Sequence, residues 1–164
     1  MIIRLATAND RSQLWRILEP MIRAGETYAL ARDLSEDAAL AYWMAPGNAV
    51  FVAESENRIL GTYYLRANQQ GARSPDQSHV ANCGYVTAAD APGRGIGRAM
   101  ALHSLAEAKA RGFAAMQFNF VVSTNRRAIA LWHSLGFDTV GRLPGAFRHP
   151  VRGPVDALVM FRAL

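Results

Sequence analysis

Apolar residues along this chain recur with a period of about two in some stretches and about 3.6 in others, which predicts a mixed succession of strands and helices. Residues 2–5 read as a short strand, and residues 7–10 as a capping turn for an amphipathic helix over residues 11–23, which Pro20 is expected to bend or end. Residues 24–28 form a loop, and Ser35-Glu36-Asp37 opens a second helix carrying Leu40, Trp43 and Met44, stopped by Pro46-Gly47-Asn48. Two apolar runs, 49–54 and 59–66, are joined by Ser55-Glu56-Asn57-Arg58 and read as a hairpin. A polar surface loop at 68–77 leads into a strand over 79–87. A helix then runs from a glycine-rich turn to about Arg111, with Gly112 as its stop. Met116, Phe118 and Phe120 alternate with Gln117, Asn119 and Val121 as in a two-faced strand. Ala128, Leu131, Trp132 and Leu135 mark a helix capped by Asn125 and ended by Gly136. A strand over 137–142, a loop rich in Pro, Gly and Arg, and a strand over 155–161 close the chain.

Composition narrows the picture. With 164 residues, 51% hydrophobic and 19% charged, the chain fits one domain spanning residues 1–164 that buries its own core. The start Met1-Ile2-Ile3-Arg4-Leu5 lacks the features of a secretory signal, and no apolar run is long enough to span a bilayer, so a soluble cytoplasmic protein without a membrane partner is expected. Cys83 is the single cysteine, which excludes an internal disulfide and a multi-cysteine metal site, and no metal is expected. It reads better as a small buried residue than as a nucleophile.

The net charge of +5 raises the question of nucleic acid. The basic residues are scattered, however: Arg94, Arg98 and Arg111 flank one helix, Arg126 and Arg127 open another, and Arg142, Arg148 and Arg152 fall late in the chain. A positive cleft for an anionic ligand accounts for them as well as a nucleic-acid footprint does, and no nucleic-acid partner is expected.

The turn Gly93-Arg94-Gly95-Ile96-Gly97-Arg98 carries the clearest chemistry. Alternate glycines at a helix start let several N–H groups converge on one place, where the helix dipole adds partial positive charge and arginines supply forked contacts. A pyrophosphate suits such a cradle. Met100 interrupts the dinucleotide-binding pattern, several strands precede the turn, and no G-x-x-x-x-G-K-[ST] is present, so neither common nucleotide-binding fold fits.

Two segments carry a resemblance to a known family. Gly84-Tyr85-Val86-Thr87 through Gly93-Arg94-Gly95-Ile96-Gly97-Arg98-Ala99-Met100 is similar to the cofactor-binding segment of the GNAT acetyltransferase superfamily, and Asn125-Arg126-Arg127-Ala128-Ile129-Ala130-Leu131-Trp132-His133-Ser134-Leu135-Gly136-Phe137 resembles its N-x-x-A-x-x-L-Y-x-x-x-G-F segment. The resemblance implies an α/β (α+β) fold: a mixed, mostly antiparallel sheet of six to seven strands, its fourth and fifth strands splayed, flanked by about four helices. It also implies an acetyl-CoA-dependent N-acetyltransferase acting by direct attack of an amine. Val86, Thr87 and Ala88 would then pair with the pantetheine arm, Gly93, Arg94, Gly95, Ile96, Gly97 and Arg98 would hold the pyrophosphate, and Asn125, Ala128 and Trp132 would face the thiol end. Tyr85, Asn119 and Asn125 would lie nearest the reacting sulfur as the catalytic candidates.

The chain departs from the family pattern at two positions. Pro92 stands where Gln or Arg is usual before the turn, and Trp132 stands where many members carry a tyrosine that protonates the leaving thiolate. Asn82, Asn119 and Asn125 are similar to a set in the subgroup acetylating proline analogues such as azetidine-2-carboxylate, which suggests a small amino or imino acid as acceptor. Tyr28, Asn82, Asn119, Phe147 and Arg148 are the expected substrate-binding residues, Arg148 as the reader of a carboxylate. A homodimer accords with the family. Acetylation of a protein N-terminus, a non-catalytic acyl-CoA-binding module and a nucleic-acid-binding module remain open at this point.

Overall fold

A computed structural model describes residues 1–69, 78–91, 93 and 95–164. Pro92 and Arg94 of the glycine turn, and most of the loop expected at 68–77, lie outside the described residues. The strands are β1 (Ile2–Leu5), β2 (Ala49–Ser55), β3 (Arg58–Ala67), β4 (Val80–Thr87), β5 (Ala115–Val122), β6 (Asp138–His149) and β7 (Gly153–Ala163). The helices are α1 (Arg11–Ala24), α2 (Glu36–Trp43), α3 (Ile96–Ala110) and α4 (Arg126–Ser134). The strands form one sheet in the order β1-β2-β3-β4-β5-β7-β6. All neighbours are antiparallel except β4 and β5, which run parallel. This is the expected mixed, mostly antiparallel fold.

The β4–β5 pairing decides where a ligand can enter. The two strands are in register only at Val80↔Ala115 and Ala81↔Met116. One residue on, the Asn82 side-chain amide donates to the Gln117 carbonyl at 2.8 Å, so a side chain spans the gap that the backbone ladder leaves. Beyond that point β4 pairs only with β3. On β5 the register with β7 shifts between Phe118 and Val121, which turns Asn119 and Phe120 outward.

Successive strand residues point to opposite faces, and that parity sorts the helices. Thr62 accepts a hydrogen bond from the Trp43 indole of α2 at 3.1 Å, while its neighbour Tyr63 meets His103 of α3 at 2.6 Å. α1 lies with α2, burying Leu14, Ile17, Leu18 and Ile22 at helical spacing. α4 lies with α3 and buries Trp132 against Tyr85 and Phe118.

Two expectations are corrected. α1 runs through Pro20 to Ala24 and ends at Gly25, whose φ of 66° is left-handed. Pro20 and Arg16 are both exposed, so the carbonyl that loses its helical donor is on the solvent side. The strands expected at 137–142 and 155–161 are the ends of a longer ribbon, β6 and β7, that takes in the Pro- and Gly-rich segment. Pro144 is accommodated because β6 is the sheet edge and the register shifts between Leu143 and Phe147.

The turn before α1 is fixed by Asp10, which is buried. Its carboxylate accepts from the Thr7 backbone N–H at 2.7 Å and from two nitrogens of Arg4 at 2.8 and 2.9 Å, and Arg4 also donates to Glu54 of β2. The hydrogen bonds from Arg4, opposed by burial and reinforced by Thr7, lower the Asp10 pKa to about 2. The folded carboxyl is more acidic than the unfolded one, so the stabilisation is complete above about pH 4 and is lost as pH falls toward about 2. Asp10→Ala is expected to lower the unfolding free energy in urea at pH 7 by about 1–3 kcal/mol, and the gap to the unmodified protein should narrow as pH approaches 2.

Candidate active site at the parting of two strands

Two cavities flank the opening between β4 and β5 and share Tyr85, Asn125, Ala128 and Trp132. The one of about 500 Å³ lies toward the start of α3 and is lined by Thr87, Ala88, Gly93, Gly95, Ile96, Gly97, Arg98 and Arg127. Gly93 and Gly95 have φ of 73° and 70°, the left-handed conformation a side chain disfavours. Gly95 is the N-cap and offers no side-chain acceptor, so the first N–H groups of α3 are left without a capping partner. No carboxylate is among the described lining residues. Backbone donors at a helix start, two arginines and no competing acid make a site for a polyanion such as a pyrophosphate.

The second cavity, of about 330 Å³, lies toward α2 and the loop after α1. Tyr28, Tyr42, Tyr64 and Phe120 give it aromatic walls, and Arg66 and Asn82 are its polar residues on β3 and β4. The Tyr28 hydroxyl donates to the Tyr85 carbonyl at 3.2 Å. Tyr64 stands edge-on to Trp43 with ring centres 4.9 Å apart. Gly84 makes this wall feasible: a Cβ there would come within 2.6 Å of the Tyr64 ring and 2.8 Å of the Tyr28 hydroxyl.

Burial raises the pKa of Tyr28, Tyr64 and Tyr85 above the ordinary phenol range, and it pushes the Cys83 thiol up to about 12. These groups stay protonated at neutral pH, so Cys83 is no thiolate nucleophile there. Among the described residues no carboxylate or imidazole lines this cavity.

The expected residues distribute unevenly. Thr87, Ala88, Gly93, Gly95, Ile96, Gly97, Arg98, Asn125, Ala128 and Trp132 line the larger cavity, whereas Val86 is buried beside it. Tyr28, Asn82, Asn119 and Asn125 line the smaller one. Phe147 and Arg148 do not: Phe147 is buried against Phe120, and Arg148 is exposed on the edge strand. Tyr85 reaches both cavities, yet its hydroxyl is bound to Ser104 of α3 at 2.7 Å. Each asparagine also has a structural contact: Asn82 holds Gln117, Asn119 donates to Asn68 at 2.6 Å, and Asn125 caps α4 by accepting from Ala128 at 3.3 Å. Arg127 and Leu131 of the larger cavity, and Arg66, Tyr64, Tyr42 and Phe120 of the smaller, were not singled out from the sequence as site residues. For Arg66 the missed signal was a charge ending an otherwise apolar strand run.

The acetyltransferase (GNAT) family model matches residues 13–137. The chain belongs to that family. Among solved GNAT-like structures, a GCN5-related N-acetyltransferase from Kribbella flavida is 36% identical, covers 99% of this chain and 97% of its own length, and superposes with a TM-score of 0.91. A putative acetyltransferase from Salmonella typhimurium, solved with its cofactor acetyl-CoA, shares the fold with a TM-score of 0.86 at 23% identity, covering 100% of this chain and 94% of its own. The N-acetyltransferase aca1 of Schizosaccharomyces pombe is 33% identical over 116 residues, 70% of this chain. The chain spans about half, 54%, of that curated relative.

Gly84→Ala tests the cavity wall directly. The substitution is expected to cost about 1–3 kcal/mol in urea unfolding and to change the near-ultraviolet circular dichroism of the Tyr64–Trp43 pair, because the ring must move aside. Unchanged stability together with an unchanged spectrum would contradict the packing described.

Proposed function

We propose that the protein transfers an acetyl group from acetyl-CoA to the amine of a small molecule, an amino or imino acid being the favoured class. The observation that carries this reading is the junction of the two cavities. A polyanion-binding cavity and a smaller aromatic one meet at Tyr85, Asn125, Ala128 and Trp132, as direct transfer between two bound substrates requires. The relative aca1 is named an N-acetyltransferase, and the Salmonella structure holds acetyl-CoA, which supports the choice of cofactor.

Acetyl-CoA, when bound, supplies an acyl group activated as a thioester. The first N–H groups of α3, with Arg98 and Arg127, would hold its pyrophosphate, and Thr87, flanked by Val86 and Ala88 whose backbones face β3, would offer the backbone groups that β5 leaves unpaired. Asn125, Ala128 and Trp132 would border the reacting end, with Asn119 and Tyr85 as its other candidates. The side chains at the junction position the two reactants and exclude bulk water. Backbone N–H groups at the parting of the strands would polarise the carbonyl under attack. Trp132 has an indole N–H and no acidic hydroxyl, so protonation of the departing sulfur falls to water or to no group at all. The cavity of about 330 Å³ suits a small amine better than a peptide chain.

Thiol release from acetyl-CoA with a panel of amines, including proline analogues, is expected to show turnover, and calorimetry should show acetyl-CoA binding. Absence of binding would overturn the reading. Since the phenols of Tyr28, Tyr64 and Tyr85 stay protonated well past neutrality, kcat/KM should rise with pH until the acceptor amine is neutral. An inflection near pH 6 to 7 that does not move when the amine's own pKa is changed would point instead to a side-chain base. Arg98→Ala is expected to raise the KM for acetyl-CoA by about tenfold with kcat little changed.

A further inference from the structure

We propose that Arg66 is the specificity-determining residue of the smaller cavity: its guanidinium binds the carboxylate of the acceptor, so that amines carrying a carboxylate are acetylated in preference to neutral ones. This rests on the acetyl-transfer reading above.

Arg66 lies on β3 directly opposite Asn82 of β4, so the two side chains share one face of the sheet, and both line the cavity. Its Nε is fully enclosed without a hydrogen-bond partner, and no ion pair or hydrogen bond of its guanidinium exists among the described residues. The two terminal nitrogens are not enclosed in this way, so an incoming acceptor oxygen would meet charged donors that no group among the described residues already occupies. Other arginines of the chain are spent: Arg4, Arg23, Arg58, Arg111 and Arg142 each hold a carboxylate. Arg66 instead lies over the Tyr64 ring, its guanidinium carbon 5.0 Å from the ring centre, a contact that holds the cation at the cavity wall without using its N–H donors on a carboxylate.

Its surroundings favour an anion of single charge. No carboxylate is among the described residues of the cavity, and Arg66 is the one basic side chain among them. The asparagines are weaker candidates for this task, because Asn82 already donates to Gln117 and Asn119 to Asn68. Arg148, the reader expected from the sequence, is on the edge strand and outside the cavity lining. A carboxylate matches the forked donor edge in shape, and an amino or imino acid bound by it keeps its nitrogen free to face the junction with the cofactor cavity.

The test compares acids with their matched neutral analogues. Azetidine-2-carboxylate and the twenty amino acids, proline among them, are assayed beside their carboxamides with the unmodified protein, Arg66→Lys and Arg66→Gln. The unmodified protein is expected to favour acids by at least tenfold in kcat/KM. Arg66→Gln should abolish that preference by raising the KM for acids at least tenfold more than the KM for amides, and Arg66→Lys should restore part of it. Acetyl-CoA affinity by calorimetry and the melting temperature serve as controls, since a merely structural loss would lower acids and amides alike. Equal losses for both, or an acid preference that survives Arg66→Gln, overturns the proposal. If no amine is acetylated at all, the transfer reading fails, and calorimetric binding of the same acids and amides in the presence of CoA still decides Arg66. No acid binding tighter than its amide overturns it.

Discussion

The hydrogen bond from the Asn82 side chain to the Gln117 carbonyl stands at the point on which the rest of this molecule depends. Two parallel strands that have paired at Val80 and Ala81 would ordinarily continue their ladder, because an unpaired strand edge leaves donors and acceptors wanting. Here a side-chain amide takes the place of the next rung and β5 bends away, with a register shift against β7 that absorbs the change in direction. The sheet is left with an open internal edge, which a protein fold tolerates where a ligand or solvent supplies the missing partners.

Chemical contrast across that opening follows from which elements border it. The start of α3 brings backbone N–H groups and Arg98, and α4 adds Arg127, so one side suits a charged, extended ligand. The other side is walled by tyrosines whose burial keeps them neutral, and it admits one guanidinium. Gly84 lets those rings approach β4, since any side chain there would occupy the space of Tyr64. Trp132, Tyr85 and Asn125 join the two environments, and α4 places the first and last of these three through the cap at its N-terminus and its buried face.

Local signals in the sequence located most of this frame. The glycine turn and the Asn125 cap mark two helix starts with physical requirements strong enough to read without coordinates: left-handed backbone in one case, a side-chain acceptor in the other. The strands up to β5 were legible, β2 and β3 as apolar runs about a short polar turn and β5 from its alternation. The β6–β7 ribbon was not, because Pro144 and Gly145 read as a loop until the edge position of β6 is known. Site residues followed the same division. Gly93, Gly95, Ile96, Gly97 and Arg98 of the glycine turn, read from local backbone requirements, line the larger cavity, whereas Arg66 and Tyr64 reach the smaller one through cross-strand register with Asn82 and Gly84, which no local pattern encodes. Arg148 and Phe147 were chosen for their chemistry and lie outside both cavity linings for the same reason.

Trp132 has a further consequence. Of the chain's three tryptophans, Trp43 is sealed under the sheet and Trp15 sits beneath Arg23 on α1, while Trp132 alone lines both cavities, 5.0 Å from the Tyr85 ring. That placement makes Trp132 a built-in optical gauge: a ligand entering either cavity would change the surroundings of its indole, and the order of binding could be followed in the unlabelled protein.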